Sequence, residues 1–187
     1  MEGNEQAVKR KHGVLNKIYW TIVIILAVIL ASIITANICG CYIVVVSGSS
    51  MNNTLYNNDR IIAVRGNNFN YGDIVIINRN GEEEYLLIKR VIGLAGDTIE
   101  IRDGAVYRNG EKLEESYAKG ITNPTSGTST WTVGEGEFFF LGDNRQNSRD
   151  SRYYGVYNKS NVQGVVTGWS LWMRWLNNGL LWFANPE

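Results

Sequence analysis

From position 18 to position 38 the chain has no charged side chain and is dominated by Ile, Leu, Val and Ala. About 20 residues, each rising about 1.5 Å, cross a hydrocarbon core of about 30 Å, so the pattern predicts one membrane-spanning helix. Tyr19 and Trp20 fall in its first turn, where amphipathic rings favour the interface. A cleaved leader has a shorter apolar region, about 7–15 residues, and ends in small residues. This run is longer and ends Asn37-Ile38-Cys39. An uncleaved anchor over 18–38 is therefore expected, after a basic tail at 1–17.

Beyond the span the period changes. Short β-type runs occupy 42–46, 60–65, 73–78, 85–92, 98–102, 105–107, 137–141 and 162–169, separated by turn residues. Asn80-Gly81 and Asn109-Gly110 are hairpin signals, because both central positions of a type I′ turn need positive φ. No long stretch here has helical periodicity. The expected fold is mostly β, with coiled antiparallel sheets or a partly open barrel filling a domain over 39–187. Residues 122–129, rich in Thr, Ser, Gly, Asn and Pro, read as a surface loop inside a small insertion at about 110–132. Trp169, Trp172, Trp175 and Trp182 crowd the C-terminal stretch, where Arg174 and Asn177-Asn178 argue against a second span. Those rings either meet lipid headgroups or fill a core, and both readings stand.

Charge refines this picture. Lysine plus arginine and aspartate plus glutamate each number 18, so no basic field exists to hold nucleic acid. Lys9, Arg10, Lys11 and Lys17 precede the span, and no Lys or Arg follows it until Arg60. That asymmetry places the N-terminus in the cytoplasm and the domain outside the cell membrane. Cys39 and Cys41, with one distant histidine, cannot assemble a four-ligand zinc site, and a disulfide across so tight a loop would be strained. Ile38 also stands where lipid attachment at Cys39 needs a small residue. No metal or cofactor is implied.

The candidate chemistry sits in three blocks. Ser50 follows the strand-like 42–46 run and a flexible Ser47-Gly48-Ser49, a junction that suits an exposed nucleophile as well as an ordinary turn. A serine needs a base before it can attack a carbonyl. The single histidine, His12, precedes the span, which leaves a lysine as the natural base. Strand alternation puts Lys89 on the face of Leu87 and Val91, with Arg90 opposite. Enclosed there, its amine would have a lowered pKa; at an edge, it would snorkel to water. Residues 142–152 are dense in polar groups, among them Asp143, Arg145, Ser148, Asp150 and Arg152, which could pair with one another or with Arg90.

Together, the stretches 47–55, 71–75, 89–97 and 142–155 resemble the type I signal peptidases of bacteria, the Ser–Lys group, over about 43–166. The resemblance implies a membrane-bound endopeptidase that removes signal peptides from secreted precursors. It implies Ser50 as nucleophile, Lys89 as general base and Ser148 as a hydroxyl hydrogen-bonded to Lys89. Asp143, Arg90, Asp150 and Arg152 would be structural ion-pair residues. Ile43, Val44, Val45 and Val46, with Ile74 and Val75 from the 73–77 region, would line pockets for small side chains. The oxyanion would rest on the Ser50 backbone N–H, since Gly48 replaces a serine hydroxyl found in some members. Asn53 and Ala95 stand where prolines are common, and Gln146 replaces a frequent aspartate. Two alternatives have less support. A self-cleaving repressor would need a DNA-binding module where the apolar span lies, and an inactive assembly factor or pilin chaperone would be expected to lack Ser50 or Lys89.

Overall fold

The computed structural model describes residues 2–38, 40–79, 86–125 and 127–168, with side chains in the first helix described over 15–35. The expectations for Asn80-Gly81, Cys39 and the tryptophan-rich stretch from 169 onward lie outside the described residues. The chain divides into two compact units, Met1–Cys41 and Tyr42–Glu187.

The first unit is α1, Glu2–Ile38, continuous through both the basic tail and the apolar run. Its stretch Leu15–Thr35, 21 residues, is long and apolar enough to cross a membrane. Ile22, Leu26, Ile29 and Ile33 are all about half exposed or more, so none of them is buried in a protein core.

The second unit is built from β1 (Cys41–Val45), β2 (Arg60–Arg65), β3 (Ile74–Asn78), β4 (Leu86–Leu94), β5 (Thr98–Arg102) and β6 (Ala105–Arg108). After these come β7 (Glu111–Lys112), β8 (Thr130–Thr132), β9 (Glu137–Leu141), α2 (Ser151–Tyr154), β10 (Tyr157–Asn158) and β11 (Val162–Val166). Seven strands form one sheet in the order β1-β2-β11-β3-β4-β9-β10, and four form another, β7-β6-β5-β8. Neither order closes on itself, so the mostly β, antiparallel expectation holds as open sheets.

Two strands explain the core. In β3, Ile74 and Ile76 pack with Val46, Met51, Leu55 and Ile61, while Val75 and Ile77 pack with Phe69, Val91 and Phe140 on the other side. In β9, Phe138 and Phe140 join that second cluster, while Phe139 and Leu141 join Ile92, Ile99 and Val106 in a third. Period-2 alternation thus feeds adjacent residues to different cores, which is why these strands read as unbroken apolar runs. Each such side chain contributes about 1.5–3 kcal/mol by leaving water.

The Asn109-Gly110 signal is realised. Both residues have positive φ, 55° and 83°, and Arg108 pairs with Glu111 across a two-residue turn. The 110–132 segment, expected as an insertion, supplies β7 and β8 to the second sheet beside β5 and β6. β7 was signalled only by the turn before it, and β8, β10 and α2 are too brief for a period to register.

β4 turns into β5 through Leu94-Ala95-Gly96-Asp97, closed by the Asp97 N–H to the Leu94 carbonyl at 3.0 Å, with Gly96 at φ 91°. This is type II geometry, and Ala95 occupies the position that proline favours. Ala95→Pro should therefore raise folding stability by about 0.4–1 kcal/mol, by restricting the unfolded chain. Denaturant titration of the full chain in detergent checks this, and a lowered midpoint would show that the turn has another geometry.

Candidate active site

Ser50 is carried on the turn that follows β1. Gly48, at φ 93°, donates its N–H to Asn57 Oδ1 at 2.9 Å, bending the chain so that Ser50 enters a short turn over 50–54. Met51 is the turn's apolar anchor, buried with Val46 and Leu55. The Ser50 carbonyl accepts the Asn144 N–H at 3.0 Å, and Asn144 Nδ2 donates to the Ser49 carbonyl, also at 3.0 Å. Asn147 Nδ2 donates to Ser49 Oγ at 2.7 Å. The 142–152 block therefore grips Ser49 and Ser50, mostly through their backbone carbonyls.

Lys89 comes from β4, paired with Val75 on β3, while its neighbour Arg90 pairs with Ile74. Its Nζ lies 2.7 Å from Ser50 Oγ and 3.0 Å from the Ile88 carbonyl. The residue is only 3% exposed. Burial penalises the ammonium and lowers the pKa from 10.5 to about 8, against the opposing pull of the Asp150 and Asp143 carboxylates.

Those carboxylates are themselves tied. Asp143 Oδ1 and Oδ2 accept Arg90 Nε and Nη2 at 2.8 and 2.7 Å, a bidentate pair that is buried. Thr54 donates its hydroxyl to Asp143 Oδ2. Asp150 Oδ1 and Oδ2 accept Arg152 Nε and Nη2 at 2.8 and 2.9 Å, and Asp150 also caps α2. Gly142 donates its N–H to Asp150 Oδ2 at 3.0 Å. A Cβ at Gly142 would come within 2.6 Å of the Ser50 carbonyl and press into Ser148 Oγ, so only glycine permits this approach.

Ser148 is placed differently from expectation. Its Oγ is buried and makes no hydrogen bond to a described residue, so the expected bond to Lys89 is not formed. The cleft beside Ser50 and Lys89, about 310 Å³, is lined by Val44, Val45, Val46, Leu86, Leu87 and Ile88, among others. Ile74 and Val75, expected there, lie at 3% and 0% exposure in two core clusters, because β11 and β4 flank β3 and both its faces are covered. Ile43 is 69% exposed and outside the cleft lining.

Residues 17–172 match the family described as signal peptidase, peptidase S26. The chain belongs to that family. Signal peptidase I P of Bacillus subtilis subsp. natto is 36% identical over 171 residues, covering 84% of this chain and 90% of that protein. Signal peptidase I S of Bacillus subtilis strain 168 is 36% identical over 172 residues, covering 84% and 89%. A crystal structure of a signal peptidase I from Enterococcus faecalis V583 covers 54% of this chain and 97% of that one, at 34% identity and a TM-score of 0.42. As an S26 family member the chain is a serine peptidase, a hydrolase.

Several site residues escaped the sequence reading. Asn144 and Asn147 stood within the polar block, but their partners, Ser49 and Ser50, are nearly a hundred positions away. Arg145 pairs with Glu115 at 2.7 Å through both arms, a link that no spacing rule signals. Asn53 has a φ of 101°, which excludes proline outright, and its Nδ2 donates to the Tyr117 carbonyl at 3.1 Å.

The buried amine opposes folding. At pH 7, below both 8 and 10.5, the whole penalty of enclosing the ammonium is present. As pH rises from about 8 to 10.5 the unfolded chain holds a proton that the folded one has lost, so stability increases across that window. Lys89→Met should therefore stabilise the protein at pH 7 by about 3 kcal/mol, an advantage that fades above pH ~8. Denaturation of both proteins at pH 7 and at higher pH checks this. A destabilised Lys89→Met at pH 7 would mean that the amine is solvated or firmly paired.

Proposed function

We propose that the protein is a membrane-anchored signal peptidase I that cuts signal peptides from secreted precursors with a Ser50–Lys89 dyad. One observation carries the reading: Lys89 is 3% exposed, and its amine lies 2.7 Å from the Ser50 hydroxyl. Lys89, deprotonated, takes the Ser50 proton as Oγ attacks the scissile carbonyl. The resulting ammonium protonates the leaving amine, and the amine then activates water to release the acyl group. The oxyanion is met by the Ser50 N–H, which makes no hydrogen bond to a described residue. Asp143–Arg90 and Asp150–Arg152 hold the block that fixes the nucleophile, and Ser148 stands beside Gly142 and the Ser50 carbonyl.

The substrate binds extended along β1, the edge of the seven-stranded sheet, with small side chains entering the cleft between Val44–Val46 and Leu86–Ile88. The reaction needs no metal or cofactor. Leu15–Thr35 anchors the chain, with the basic flank in the cytoplasm and the domain over 39–187 outside, where precursors emerge.

Ser50→Ala and Lys89→Ala should each abolish cleavage of a synthetic signal-peptide substrate while leaving the chain folded. In the native protein kcat/KM should rise with pH through one ionisation near 8, because below it the amine already holds a proton. His12→Ala should leave that limb unchanged. Substantial turnover by either dyad variant, or a limb lost with His12, would remove the assignment. Protease added to intact spheroplasts should digest the domain and spare an N-terminal tag; a protected domain would reverse the topology.

A further inference from the structure

Residues 115–123, between β7 and β8, take no part in the reaction proposed above, yet they are bonded to most of its supports. The Tyr117 ring lies against the Arg90 guanidinium, 4.0 Å from carbon to centroid. Its carbonyl accepts Asn53 Nδ2 at 3.1 Å, and its hydroxyl donates to Glu115 Oε1 at 3.0 Å. Burial and the Glu115 carboxylate push the phenol pKa up, so the ring stays neutral. Lys119 donates its N–H to the Asp143 carbonyl at 2.7 Å, and its carbonyl accepts the Arg145 N–H at 3.0 Å. Arg145 Nη1 donates to Thr122 Oγ1 at 2.7 Å, and Arg152 Nη1 donates to the Asn123 carbonyl at 3.3 Å.

We propose that 115–123 is a strap that holds the nucleophile turn in register with the base, and that Tyr117 is its positioning residue. The edge of Arg90 is occupied by Asp143 and by the Gly72 carbonyl, which accepts Nη1 at 2.7 Å. The Tyr117 ring packs on the guanidinium carbon of Arg90, adding a contact that those hydrogen bonds do not supply. Asp143, held by Arg90, receives the Thr54 hydroxyl, and Thr54 belongs to the same turn as Ser50. A second line is direct, from the Tyr117 carbonyl to Asn53 in that turn. A φ of 101° at Asn53 forbids proline, which would stiffen the turn from within, and the stiffness comes from the strap instead.

This inference rests on the Ser50–Lys89 reading, and the test separates the two. With the full chain in detergent and a synthetic signal-peptide substrate, Tyr117→Ala should lower kcat about tenfold or more while KM changes less than about twofold, because the dyad is misplaced and the cleft is intact. Tyr117→Phe, which keeps the ring, should recover most of the loss. Asn53→Gly tolerates positive φ and removes only the amide tether, so it should lower kcat severalfold without unfolding the chain. The double variant should lose less than the product of the single losses, since both cut the same strap. If Tyr117→Ala fails to fold, the kcat of Asn53→Gly decides alone. Wild-type kcat in Tyr117→Ala or in Asn53→Gly, or a loss that phenylalanine does not recover, overturns the strap. Activity persisting in Ser50→Ala would instead overturn the dyad beneath it.

Discussion

Enclosing a lysine amine beside a serine hydroxyl is the constraint on which the rest of this domain turns. The amine stays useful only while water is kept from it, and two carboxylates nearby act against that end. Asp143 and Asp150 both favour the ammonium. Left free, either would draw the amine into a salt bridge. Each is committed to an arginine through two hydrogen bonds, which sets an opposite charge directly against it. Arg90 and Arg152 thus take up the two carboxylates nearest the Lys89 amine.

Such pairs are poor sources of stability. Desolvating both ions costs about as much as their attraction returns, whereas removing one partner is costly, about 3–5 kcal/mol. Their value here is placement. Arg90–Asp143, Arg152–Asp150 and Arg145–Glu115 link segments distant in sequence, and their geometry is directional enough to fix the 142–152 block against the turn of Ser50. Gly142 completes the fit by allowing that block to approach within contact of the Ser50 carbonyl.

Much of this was legible in the sequence, for reasons that also mark its limits. Strands such as β2 and β9 were readable because their side chains repeat locally, and the 105–112 hairpin because Asn-Gly tolerates the φ its turn needs. Lys89 stood out as a charge in an apolar run. The cleft was harder. The runs 74–77 and 86–88 are equally apolar, and which of them borders Ser50 depends on the sheet order β11-β3-β4, set by pairing with residues near 165. Tyr117, Glu115 and Asn53 were invisible as site residues because their roles are contacts between segments, with nothing periodic to announce them.

The central claim is that the Lys89 amine is predominantly basic at mildly alkaline pH because it is buried beside Ser50. The most direct measurement is NMR titration of this one lysine in the full chain, using 13C- and 15N-labelled lysine with Lys89→Met to assign the signal. The account predicts a midpoint near 8. A midpoint at the ordinary 10.5, or above it, would mean that the carboxylates hold the amine as an ammonium, and would contradict the account.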